Sequence, residues 1–85
     1  MSKLEKAKKR ILAKPKDYTY TEAKNLLNKL GFEEYTKGKT SGSRVRFYRL
    51  SDQKAILMHK PHPEDEMDPG AVRDLIEFLK DLGDL

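Results

Sequence analysis

With 85 residues, below the ~100 to 150 of a usual domain, the chain has room for one domain with one modest core and none for a second. At 36% hydrophobic and 38% charged it is polar, yet it keeps enough Leu, Ile, Val and Phe to escape the disordered class. The absence of cysteine excludes disulfides, thiolate metal sites and cysteine redox chemistry, and fits a reducing cytoplasm.

No apolar run approaches the ~20 residues of a membrane span, and the lysine-rich start lacks the apolar stretch of a signal peptide, so a soluble cytoplasmic protein with no membrane partner is expected. The net charge of +4 is unevenly spread. Residues 1–16 carry Lys3, Lys6, Lys8, Lys9, Arg10, Lys14 and Lys16 against Glu5 alone, whereas residues 64–85 carry eight acids, among them Glu64, Asp65, Glu66 and Asp68, against Arg73 and Lys80. Such polarity suits a polyanion on one side and a basic neighbour on the other.

Leu4, Ala7, Ile11 and Leu12 recur at roughly helical spacing until Pro15 stops them, which predicts a short basic amphipathic helix. Thr19 followed three residues later by Glu22 is a capping-box signature, Ala23, Leu26, Leu27 and Leu30 then share one face, and Gly31 is placed to close that helix. From Phe32 the period changes. Residues 32–37, 44–50 and 55–59 are short, rich in aromatic or branched side chains and separated by turn chemistry, including hairpin glycines Gly38 and Gly42, and read as a three-stranded meander. Asp68 as N-cap and Pro69 at the first helical position open a last helix with Val72, Leu75, Ile76, Leu79 and Leu82 on one stripe, ended by Gly83. The fold class is therefore α+β: two amphipathic helices on one face of a three-stranded antiparallel sheet, the other face left open, with a basic N-terminal helix over residues 1–16 ahead of a domain over 17–85.

In the second strand, alternation sends Val45, Phe47 and Arg49 one way and Arg44, Arg46, Tyr48 and Leu50 the other. Val45 and Phe47 belong in the core, which leaves Arg44, Arg46 and Tyr48 on the open face. Guanidinium groups match phosphate bidentately and stack on bases, and tyrosine adds a stacking plane, so RNA is a reasonable ligand. Charge that merely keeps an exposed sheet soluble is the plain alternative.

His59 and His62 are the only candidates for a general base near neutral pH. Pro61 and Pro63 deny the His-x-x-His spacing its helical presentation, so neither a metal site nor a cofactor is expected. Glu64, Asp65 and Glu66 are expected near the positive end of the last helix. No Ser-His-Asp grouping or phosphate-cradling glycine loop is present.

Taken in order, "YTYTEAKNLLNKLGF", "GKTSGSRVRF" and "ILMHKPHPEDEMDPGAVRDLIEFLKDLG" resemble the HicA toxins of bacterial and archaeal toxin-antitoxin modules, over nearly all of residues 16–83. The resemblance implies a double-stranded-RNA-binding-like helix-strand-strand-strand-helix fold, metal-independent cleavage of mRNA and neutralisation by a HicB-type antitoxin, with no DNA contact by the toxin alone. HicA-like toxins usually carry a histidine directly after a Gly-Ser pair; here Arg44 follows Gly42 and Ser43. Arginine stays protonated and cannot act as a general base. His59 becomes the candidate proton-transfer group, with Tyr48, ordinarily near pKa 10, a poor second. Ser43, Arg44, Arg46, Tyr48 and Lys60 are the candidate RNA-binding residues. An RNA-binding or antitoxin-binding module of the same fold without catalysis is the alternative.

Overall fold

The computed structural model describes residues 2–35, 44–61 and 64–85; Gly38, Gly42, Ser43 and His62 lie outside them. Its elements are α1 (Lys3–Leu12), α2 (Tyr20–Lys29), β1 (Glu33–Tyr35), β2 (Arg44–Arg49), β3 (Lys54–His59) and α3 (Pro69–Asp81). The strands form one antiparallel sheet in the order β1-β2-β3, which is the α+β arrangement anticipated from the period changes.

Local chemistry sets the helix ends. At the start of α2 all four N–H groups that a helix leaves without internal partners are satisfied. Thr19 N–H donates to Glu22 Oε2 at 2.9 Å and Glu22 N–H to Thr19 Oγ1 at 3.1 Å, completing the capping box. Tyr20 N–H donates to the Asp65 carbonyl at 2.7 Å and Thr21 N–H to Asp65 Oδ2 at 3.1 Å. The acidic segment thus serves a different helix from the one expected: Asp65 completes the cap of α2. The reason is that residues 65–67 run antiparallel beside Tyr18–Tyr20, with Thr19 bridged to Glu66 and Met67 N–H donating to the Tyr18 carbonyl at 2.8 Å. For α3 the cap is Asp68 itself, whose Oδ2 accepts from Gly70 N–H at 3.0 Å.

The C-terminal end of α2 closes in a Schellman motif. Phe32 N–H donates to the Leu27 carbonyl at 2.9 Å and Gly31 N–H to the Asn28 carbonyl at 3.1 Å, and Gly31 takes the left-handed φ of 95° this requires. The end of α3 repeats the pattern, with Asp84 N–H donating to the Leu79 carbonyl at 2.9 Å.

Leu26, Leu27, Phe32, Phe47, Leu75 and Leu79 are fully buried between the helices and the inner face of the sheet. Ile11 joins them, so α1 packs onto the same core. Arg10 reinforces that docking by meeting Glu22 Oε1 and Asp17 Oδ1, each at 3.1 Å.

Arg49 is the inward arginine of β2. Its Nε and Nη2 grip Asp52 at 3.0 and 2.6 Å, Nη1 donates to the Leu30 carbonyl at 3.0 Å and lies 2.9 Å from Asp84 Oδ2, and the guanidinium sits 4.5 Å from the Phe32 ring centroid. One side chain, 13% exposed, therefore ties the sheet to the closing turns of both α2 and α3. Asp84 Oδ2 is buried with no well-aligned hydrogen bond, so this cation is what stabilises its charge.

Two outcomes follow for stability. Arg49→Ala is expected to cost about 2 to 3 kcal/mol, because it removes several charge-assisted bonds and leaves the buried Oδ2 of a partly buried carboxylate, Asp84, without its cation; a urea titration showing a loss under about 1 kcal/mol would contradict this anchoring role. Burial raises the Glu22 pKa, but the Thr19 N–H and Arg10 outweigh it and leave the group lowered; the hydrogen bonds from Arg49 lower Asp52. A lowered carboxylate contributes stability that is present above its unfolded pKa of ~4 and is lost as pH falls through the folded value. The urea midpoint should thus hold from neutral pH to about 5 and drop below about 4, and Glu22→Gln should flatten that acid limb.

Candidate nucleic-acid interface

The strand register sorts the outer face of the sheet into three rows. Arg44 pairs with His59; Tyr35, Arg46 and Leu57 stand abreast; Glu33, Tyr48 and Ala55 form the third. Because residues directly opposite in an antiparallel ladder project to the same side, all eight share one face, and rows two residues apart are about 7 Å apart. The helices cover the other face, where Val45, Phe47 and Met58 are buried.

Arg44, Arg46, Leu57 and His59 are exposed and Tyr48 half-buried. The Arg46 guanidinium carbon lies 5.4 Å from the Tyr48 ring centroid, within cation–π range, and the Tyr35 and Tyr48 rings meet edge to face at 6.4 Å. Tyr35, Arg46 and Tyr48 line an open depression of about 350 Å³. Tyr35 Oη donates to Glu33 Oε2 at 3.3 Å, and the Glu33 charge raises the phenol pKa. The outer face thus combines two fixed positive charges, two aromatic rings and one imidazole.

Lys60 is directed elsewhere. It follows His59 past the end of β3, and its Nζ lies 5.8 Å from the Tyr20 ring centroid on the helix side. There the Tyr20 hydroxyl donates to Glu34, which also meets Lys24 Nζ at 3.1 Å. Burial raises the Glu34 pKa, but the Tyr20 hydroxyl, Lys24 and Lys60 outweigh it and leave it lowered; burial, then Glu34, raises the Tyr20 phenol. This cluster braces β1 against α2.

Alternation puts Arg44, Arg46 and Tyr48 on one face and gives His59 only as the end of the neighbouring strand; in the structure the pairing of Arg44 with His59 sets the imidazole on that same face. Ser43 and His62 fall outside the described residues. Tyr35 and Leu57 were overlooked, although Leu57 is 77% and Tyr35 50% exposed. Strand alternation alone could have flagged both, but their meeting with Arg46 depends on register across two hairpins. Among the described residues no group of three His, Cys, Asp or Glu side chains is placed to hold a metal ion, and no helix is long and apolar enough to cross a membrane.

The family model described as the HicA toxin of bacterial toxin-antitoxin systems matches residues 20–83, from the first residue of α2 to just beyond α3. The chain belongs to the HicA toxin family. Comparisons with curated proteins and with solved structures gave no match. Membership makes this a HicA toxin of a toxin-antitoxin system and implies an antitoxin partner and an RNA target. In this HicA toxin, α1 precedes the matched span yet contributes Ile11 to the core.

Since the helices pack on the opposite face of the sheet and these three side chains are exposed, Arg44→Ala, Arg46→Ala and Leu57→Thr should each leave unfolding free energy within about 0.5 kcal/mol of the parent. A loss above about 1.5 kcal/mol in any of them, measured by urea denaturation, would mean that this face is engaged within the fold.

Proposed function

We propose that this HicA toxin lays an RNA strand across the outer face of its sheet and cleaves it through the ribose 2′-hydroxyl, with His59 moving the proton and Arg44 holding the phosphate. The observation that carries this reading is the cross-strand pairing of Arg44 with His59 on the exposed face. Directly opposed residues have Cβ atoms about 4.5 to 5.5 Å apart, so an imidazole and a guanidinium can address one phosphodiester together.

The chemistry balances without a further reactant. Neutral His59 accepts the 2′-hydroxyl proton, the freed oxygen attacks the adjacent phosphorus, and the bond to the 5′-oxygen breaks. The products are a 2′,3′-cyclic phosphate and a 5′-hydroxyl, with the departing oxygen taking its proton from the imidazolium or water. Arg44 remains charged throughout and stabilises the extra negative charge on the phosphoryl oxygens as it develops. Arg46 fixes the neighbouring stretch of strand. Lys60, turned towards Tyr20, adds to the positive field without a direct contact. An antitoxin of the HicB type would neutralise the toxin by covering this face, in the cytoplasm where mRNA is found.

Arginine at position 44, where related toxins usually have histidine, favours a second reading in which the same face binds RNA or the antitoxin without cutting. Cleavage of labelled RNA in the presence of chelator separates the two. His59→Ala should lower the rate by about 10² to 10⁴-fold with the fold retained, and Arg44→His should raise it; an unchanged rate in His59→Ala rejects the proton-transfer role. If the parent protein binds RNA but cuts none, while Arg44→His cuts, the binding-module reading holds. Arg44→Ala and Arg46→Ala should each reduce the slope of log affinity against log salt by about 0.7 on single strands.

A further inference from the structure

We infer that the depression formed by Tyr35, Arg46 and Tyr48 is a stacking pocket for one unpaired nucleobase, so that the toxin reads single-stranded RNA at the nucleotide next to the phosphate it holds. This rests on the RNA reading above and adds to it a base-binding residue, Tyr35, and a substrate class. Solubilising charge explains Arg44 and Arg46 but gives no reason for an exposed tyrosine, an exposed leucine and a half-buried tyrosine to stand in neighbouring rows of the same face. Tyr35 is half exposed, its ring meets that of Tyr48 edge to face at 6.4 Å, and Leu57 beside Arg46 is 77% exposed. The two rings line the depression with Arg46, and Leu57 adds an exposed apolar group in the same row. Arg46, 5.4 Å from the Tyr48 ring centroid, holds a planar cation at the same spot, and guanidinium planes and phenol rings are the surfaces on which unpaired bases stack.

Charge orders the three rows. Arg44 with His59 lies at one end and Glu33 with Tyr48 at the other, the stacking row between them. Phosphate is attracted to the first and repelled by the third, so a bound nucleotide points its base away from Arg44 and towards the Glu33 carboxylate. A duplex cannot do this, because its bases are paired and stacked inside. Glu33 further favours a base with an exocyclic amino group, which donates to a carboxylate, over uracil, which has none.

The probe is a fluorescent 2′-O-methyl RNA of about 12 nucleotides, within the usual site sizes for single strands and unable to undergo attack by its own hydroxyl. It is used as a single strand of uridines with one central adenosine, as the same strand with an abasic central position, as all-uridine, and annealed to its complement. The parent protein should bind the adenosine strand more tightly than the other three. Tyr35→Ala should lose roughly 5- to 150-fold in affinity for the adenosine strand, as expected from ~1 to 3 kcal/mol of stacking, with little change on the abasic strand, and Tyr35→Phe should retain binding. Equal binding of the adenosine and abasic strands, equal binding of the duplex, or no effect of Tyr35→Ala overturns the pocket. If Arg44→Ala still weakens binding in those cases, the RNA-binding face survives without it. Loss of all RNA binding by the parent protein overturns both.

Discussion

The Arg49 guanidinium is the contact on which the two-faced character of this sheet depends. It reaches inward from β2 to the closing turns of α2 and α3, to Asp52 and to the Phe32 ring. A pleated strand permits side chains at alternate positions only on one side, so fixing Arg49 inward fixes Arg44, Arg46 and Tyr48 to the register of the opposite face. A one-residue slip would expose Phe47 and Val45 and carry Arg46 and Tyr48 into the core, losing several kilocalories of apolar burial and desolvating a charge. Burial and ion pairing thus specify the same register. Gly31 belongs to the same arrangement: a Cβ there would lie 3.3 Å from Arg49 Cδ and would have to take a φ of 95°.

The positive charge of the chain divides accordingly into two uses. Arg10 and Arg49 are consumed by internal carboxylates, and the exposed lysines of α1 lie in the helix layer. Arg44 and Arg46 alone supply arginine charge to the outer face. The net charge of +4 therefore overstates what a strand crossing that face would meet. Two phosphate contacts release few counterions and give only shallow salt dependence. Affinity on such a face would have to come in large part from contacts that salt does not screen, and the exposed Tyr35 ring and Leu57 side chain, with the half-buried Tyr48 ring, are the groups positioned to make them.

Much of this architecture was legible because its signals are local. The Thr19–Glu22 capping box, the Asp68–Pro69 helix start and the glycines after α2 and α3 each act within about one turn of their own position, so spacing alone reveals them. Alternation assigned Val45 and Phe47 inward and Arg44 and Arg46 outward for the same reason. What stayed hidden depends on chain reversal. Asp65 caps a helix that starts 45 positions earlier in the chain, and Arg49 finds Asp84 only once the sheet and the last helix have docked. The row of Tyr35, Arg46 and Leu57 needs the register of both strand pairs. Lys60 is a phosphate-binding candidate in the sequence, and the chain beyond β3 carries its Nζ to within 5.8 Å of the Tyr20 ring centroid.

Arginine in place of a titratable residue at position 44 changes how labour is divided across the strand pair. Two histidines facing one phosphate could share the tasks of accepting and returning a proton, each losing charge as pH rises. A guanidinium gives up proton transfer and in return holds its charge and fork geometry at every physiological pH. Under the proposed mechanism the phosphate would be gripped at constant strength, while the single imidazole on the neighbouring strand, with water, would serve both halves of the reaction. Such a site would be slower per turnover but would hold its RNA, or an acidic segment of an antitoxin, independently of protonation. Cross-strand placement makes the exchange tolerable: because Arg44 and His59 are opposed on adjacent strands, substituting one leaves the backbone that positions the other untouched.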